Sequence, residues 1–155
     1  MKKYLPLILL LSFAVTGCET VPKSTKTPLE LQAIQSKEFE TNKKVAFAAT
    51  LSVLQDLGYI TDSASFETGL ITAKSPMQNK FKPFVGQVMS VIKVNAFVEE
   101  IATYRTKVRA NFVDSRYVQN QYGRREEERP IETPDTYQDF FAKVQQGIFV
   151  RKNTQ

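Results

Sequence analysis

The sequence predicts an α+β fold: a two-layer sandwich with an antiparallel sheet of about five strands, order β-α-β-β-β-β-α, and two helices on one face. Three observations predict it. Residues 88–100 and 102–114 alternate apolar and polar with period two. An alanine-rich stretch at about residues 43–57 and an aromatic stripe after Pro134 repeat at helical spacing. Several strands follow one another between those helices, and such an order packs as two layers.

Ahead of the domain lies a different kind of segment. Lys2 and Lys3 form a short positive region, an apolar run follows from about Leu5 to Ala14, and small residues lead to Cys18. This is the build of a secretory signal peptide. The run is shorter than the roughly 20 apolar residues a bilayer span needs. Val15-Thr16-Gly17-Cys18 resembles the lipobox of bacterial lipoproteins. The resemblance implies cleavage after Gly17, a diacylglycerol thioether on Cys18, and further acylation such as palmitate on the new amino group. Glu19, rather than an aspartate, implies sorting to the outer membrane. The organisation expected is a cleaved signal at 1–17, a lipidated N-terminus and flexible tether at 18–32, and one α+β domain at 33–155. The tether reading rests on the Thr, Lys and Pro content of residues 19–30.

Composition limits the chemistry. Without residues 1–17 of the 155, enough chain remains for one domain with a single core. Loss of Lys2 and Lys3 leaves 19 of the 21 basic residues against 16 acidic ones, a net charge of +3. That balance is too mild to predict a nucleic-acid partner. There is no histidine, and Cys18 is the single cysteine. Triads that need histidine, zinc sites built from histidine or cysteine, and internal disulfides are therefore excluded. No metal or cofactor is expected, and no enzyme activity.

Within the domain, a short strand is expected at about Ile34 to Glu40, with Phe39 inward. Asn42 or Thr41 caps the first helix, whose face carries Phe47, Leu51 and Leu54 with Ala48 and Leu57 beside them. Gly58 sits where a left-handed stop is expected. Strands follow at Tyr59–Ser63 and Leu70–Lys74, joined by a turn ending at Gly69, with Ile60, Leu70 and Phe66 as core candidates.

Residues 75–87 read as a long connection that holds Lys80, Phe81, Lys82 and Phe84. The simpler expectation is that Phe81 or Phe84 folds back over the core. The sharper one is a contact loop for a partner or a membrane. In the long strands that follow, Val88, Ile92, Val94, Ala96 and Val98 face one way, as do Tyr104, Thr106, Val108, Ala110 and Phe112. The connection is expected near Glu99-Glu100-Ile101. Arg105, Lys107 and Arg109 occupy the opposite face, with Lys93 extending the set. The simpler reading is a solvated face that discourages edge aggregation. The sharper one is a binding face for an anionic lipid, glycan or acidic protein.

The run Arg124 to Arg129 has cancelling charges and reads as a solvated loop. Thr133 and Pro134 then start a helix whose stripe is Tyr137, Phe140 or Phe141, Val144 and Ile148.

The segments Lys37–Glu40, Leu54–Ile60 and Gly69–Ala73, with the ending Phe140 to Phe149, resemble a group of small bacterial lipoproteins, mostly of uncharacterised function. The layout is similar to the helix-grip domains of BamC-like lipoproteins. The resemblance implies a non-enzymatic protein held to the membrane through Cys18, which binds or scaffolds a cell-envelope component. Two alternatives remain open. One is a cell-wall glycan hydrolase that uses two of Glu38, Glu40, Asp62, Glu67, Glu99 and Glu100 as paired carboxylates. The other is an apolar-ligand carrier with a pocket between sheet and helices.

Overall fold

The structure is a computed structural model that describes residues 26–83, 85–120 and 123–153. Cys18, the expected signal segment and Phe84 lie outside the described residues. The fold is α+β, as expected, with an antiparallel sheet that is not closed into a barrel. Among the described residues the sheet has seven strands rather than about five, and three helices accompany it rather than two.

The first helix, α1 (Pro28–Gln35), falls largely within the expected tether. Its start is a capping box: the Thr27 side chain accepts from the Glu30 amide, and the Glu30 carboxylate accepts from the Thr27 amide at 2.7 Å. Pro28 occupies the first helical turn, where its missing N–H costs nothing. Strand β1 (Ser36–Phe39) follows, shorter than expected, with Phe39 buried as anticipated.

Helix α2 (Lys43–Asp56) is capped by Asn42, whose side chain accepts from the Val45 amide at 2.9 Å. It stops as a Schellman turn. Tyr59 N–H donates to the Leu54 carbonyl, Gly58 N–H to that of Gln55, and Gly58 has φ +82°. The buried face is rotated from the expected one. It centres on Ala46, Ala49, Thr50 and Val53, with Phe47 and Leu54 at its sides, while Leu51 is half-buried and Leu57 exposed. Close approach of a second helix explains this, because small residues let two backbones come together.

Strands β2 (Ile60–Ser65) and β3 (Leu70–Lys74) form a hairpin with Gly69 at φ +78°. Here the inward set is Ile71 and Ala73, one residue out of phase with the expectation. Ile60, Leu70 and Phe66 are exposed at 55 %, 43 % and 47 %. A one-residue shift in a strand moves every side chain to the other face. Phe66 is nevertheless edge-on to Phe47, with ring centroids 5.7 Å apart.

The expected long connection contains another strand, β4 (Gln78–Lys82), paired with the start of β5 (Gly86–Ala102). Strand β6 (Arg105–Asn120) pairs with β5 along nearly its whole length. The turn between them is Thr103-Tyr104, later than expected, after a bulge near Ile101. Tyr104 therefore belongs to the turn, at φ +59°, and is exposed rather than inward. The remaining inward residues Thr106, Val108, Ala110 and Phe112 are buried as expected, as are Val94, Ala96 and Val98.

The charged run expected to be a loop is strand β7 (Gly123–Pro130), antiparallel to β6. It has no alternation in hydropathy; on one face Arg125, Glu127 and Arg129 alternate in charge sign. Arg125 and Arg129 both reach Glu127, at 3.4 and 3.2 Å. Helix α3 (Pro134–Asn153) buries Tyr137, Phe140, Phe141, Val144 and Ile148, the expected stripe with both phenylalanines included. Gly147 lets α3 approach α2 closely, since a Cβ there would sit 3.4 Å from that of Ala49.

The long β5–β6 hairpin is a spine with two parts. Near its turn, β3 and β2 extend one edge and β1 the other, and the helices cover one face. Beyond the Val94–Phe112 row, β4 and β7 flank the spine instead. Ser75 bridges the two parts, because its N–H donates to the Ile92 carbonyl at 2.8 Å and its hydroxyl accepts from the Ile92 amide at 2.9 Å.

Candidate functional site

The face of the sheet away from the helices is the candidate site. Register determines what shares it. Successive rows read Glu38–Lys107–Glu99, Ser36–Arg109–Phe97–Leu70, Asn111–Asn95–Thr72, and Val113–Lys93–Lys74. Adjacent strands lie about 4.8 Å apart, so each row is a line of neighbouring side chains.

Arg105, Lys107 and Arg109 do share this face, as expected. Lys93 shares it as well, but at the row of Val113, four residues along β6 from Arg109. At about 3.4 Å per residue that is roughly 14 Å away. The four cations form two groups with an asparagine row between them.

Both groups hold carboxylates that the sequence reading did not place beside them. Arg105 pairs with Glu38 at 3.4 Å. Lys107 stands in register between Glu38 and Glu99. Lys93 donates to Glu128 at 2.6 Å and lies 3.8 Å from Glu126. Ser115, fully buried, also donates to Glu128 at 3.0 Å. These hydrogen bonds, with the nearby positive charge, hold the Glu128 carboxyl below its ordinary range. The bond to Glu128 likewise raises Lys93. An anionic ligand here would have to displace bound carboxylates. The alternating signs suit a surface that meets another polar surface in register.

Apolar residues interrupt the charge. Phe97 and Leu70 are directly opposite one another and are 38 % and 43 % exposed. Ile60, opposite Lys74, adds to them. A shallow cleft of about 470 Å³ opens on this face, lined by Thr72, Lys74, Val91, Lys93, Asn95 and Tyr117, with Asp62 and Met77 at its rim. Asp62 holds Lys74 at 2.7 Å. Between sheet and helices the space is filled by Phe39, Phe112, Phe140 and Phe141, whose rings contact one another at centroid distances from 5.3 to 6.3 Å.

The second candidate set, Lys80, Phe81, Lys82 and Phe84, falls on β4 and the turn after it. Phe81 is 75 % exposed rather than folded over the core, and its two lysine neighbours are exposed. Of the carboxylates offered for hydrolysis, Glu38 and Asp62 are in ion pairs on the open face. Among the described residues no group of three or more acidic or thiol side chains could hold a metal ion. No helix among them is long and apolar enough to cross a membrane.

The partners Glu126 and Glu128 escaped sequence reading because β7 has no apolar alternation. Phe97 and Leu70 escaped because an exposed apolar residue in a strand looks like a core residue until the phase of its neighbour is known.

No known family model matches the chain, and no curated protein is similar to it in sequence. A solved structure of a DUF4468 family protein from Bacteroides ovatus aligns with a TM-score of 0.40 and 9 % identity, over 73 % of this chain and 84 % of that one. A likeness at that level carries no argument about function.

Proposed function

We propose that this protein is a bacterial lipoprotein, anchored to the outer membrane through acyl chains on Cys18, which binds or scaffolds a component of the cell envelope without enzymatic chemistry. The observation that carries the anchor is the segment Val15-Thr16-Gly17-Cys18 behind a positive start and an apolar run. Several buried acyl chains, each methylene contributing about 0.8 kcal/mol, hold such a protein stably. The open sheet face supports the binding part of the reading. It offers Phe97 and Leu70 within a ladder of alternating charges, which favours an envelope protein with a polar, patterned surface over a simple polyanion.

The anchor is tested by radiolabelled palmitate. The wild-type chain should take up label and sediment with membranes, and Cys18→Ser should lose the label. Label on Cys18→Ser would remove the lipoprotein reading. The binding face is tested by photoreactive residues at Lys107 in intact cells. An envelope-protein adduct is expected there, and its absence together with an adduct at Phe84 would move the contact to the loop.

A further inference from the structure

The far part of the spine projects beyond the helices. Phe112 is the last β6 residue under α3, held by an edge-on contact with Tyr137 at 5.4 Å. From there β6 continues to Asn120. At about 3.3 Å per residue this projection is roughly 26 Å long. At its end β4 presents Phe81, 75 % exposed, with Lys80 and Lys82 on either side and Val85 in the turn beyond, 43 % exposed.

The charges near this end are not alike. Among the described side chains of β6 and β7, Arg116 is engaged with Asp114 at 2.5 Å, and Arg125 and Arg129 with Glu127. Among the described residues the side chains of Lys80 and Lys82 make no ion pair or hydrogen bond. Phe81 is the most exposed aromatic ring among the described residues, and the two lysines leave the same edge strand on the opposite face of the sheet, an arrangement that suits edge-on contact with a headgroup layer over an apolar interior.

The chain enters the fold at the base of the same projection. Lys26 donates to the Glu132 carbonyl at 2.9 Å, and Ile131 donates to the Phe112 carbonyl at 2.8 Å. Only seven residues, 19–25, lie between Cys18 and Lys26, so the chain takes eight steps from one to the other. Their greatest reach, at about 3.5 Å per residue, is roughly 28 Å. That just exceeds the length of the projection, so a lipid-held Cys18 and the tip of β4 can meet one plane.

We propose that the tip of the projecting sheet, through Phe81 with Lys80 and Lys82, is a second membrane contact that takes an anionic phospholipid bilayer. This rests on the lipid anchor proposed above. The ring enters the interface while the lysines meet phosphate groups, and the body is then held at two points instead of one.

The chain has no tryptophan, so Phe81→Trp creates a single reporter. Tyr104→Trp is the control, since Tyr104 is exposed at the opposite end of the spine. The full chain is reconstituted into vesicles of phosphatidylethanolamine with a minority of phosphatidylglycerol, with and without brominated acyl chains. The expected result is vesicle flotation, blue-shifted emission and strong quenching for the residue at 81, and neither shift nor quenching at 104. Adding Lys80→Glu and Lys82→Glu should weaken the tip contact roughly fivefold per lysine. Flotation with an unquenched reporter at 81 would overturn the tip contact and leave the anchor standing. Failure to float, with no palmitate label, would overturn both. A photoreactive residue at 81 that captures protein rather than lipid in cells would also overturn it, in favour of a protein partner.

Discussion

Gly58 and Gly69 both have positive φ, +82° and +78°, but their surroundings differ. At Gly58 an added Cβ meets nothing within 4 Å, so Gly58→Ala should lose only about 1 kcal/mol to the left-handed backbone. At Gly69 the same carbon would lie 2.1 Å from the Val98 carbonyl oxygen. Gly69→Ala should therefore lose about 3 kcal/mol or more, because the β3–β5 ladder must shift as well. Urea midpoints at unchanged slope measure both, and equal losses would contradict the close approach. The Lys93–Glu128 pair makes a pH prediction. Glu128 is lowered from the usual 4.5, so its contribution is present above that value and lost as pH falls through the folded one. Lys93 is raised from the usual 10.5, so its contribution is present below that value and lost as pH rises through the folded one. Glu128→Gln should flatten the acid limb of stability below pH 4.5 by the same amount that it loses at neutral pH, and that amount is small because the pair is exposed. Identical acid limbs in the two proteins would refute the assignment.

The elements differ in how far their residues announced them. Helix α2 was legible in its cap and stop, and α3 in Thr133-Pro134 and its stripe, because one side of each helix needs apolar cover at a fixed period. The long hairpin was legible for the same reason with period two. Its turn was not, since the bulge near Ile101 breaks the alternation before the chain reverses. Helix α1 had a readable start in Thr27-Pro28-Leu29-Glu30, but it buries no residue fully, and so lacks a strong apolar period. Strand β7 had no readable signal, because its stability comes from cross-strand charge and from pairing with β6 rather than from burial. The helix pair offers a test at this scale. Gly147→Ala should be tolerated or add up to about 1 kcal/mol through helix propensity, since its Cβ only touches Ala49 at 3.4 Å. Gly147→Leu should lose about 1–3 kcal/mol by wedging α3 off α2. Thermal melts of the two variants distinguish this, and a harmless leucine would mean the helices are not closely packed there.

At the scale of the molecule, the two-layer class followed from the order of elements alone. The candidate site was legible only in part. Arg105, Lys107 and Arg109 were placed on one face by their spacing, whereas their carboxylate neighbours come from strands distant in sequence, whose register no local pattern specifies. The two parts of the sheet should also differ in stability. The helix-covered part buries Val94, Ala96, Val98, Val108 and Ala110, but every residue of β4 is exposed and β7 has no buried residue among those described. Amide exchange should therefore be at least about 100-fold faster in β4 and β7 than at those covered positions. Uniform protection along the spine would contradict this.

The pairing of β1 with β6 has a consequence for the order of assembly. Among the described residues, Ser36–Phe39 has its only strand partner at Thr106–Arg109, across a loop of some seventy residues. The β2–β3 and β5–β6 hairpins can each close locally and quickly, whereas β1 waits for the centre of the sheet to exist. A chain emerging N-terminus first thus carries Phe39 and α2 uncovered until residues beyond 109 have appeared. During that interval those apolar surfaces stay in water, and the folding rate should be set by the late arrival of the earliest strand.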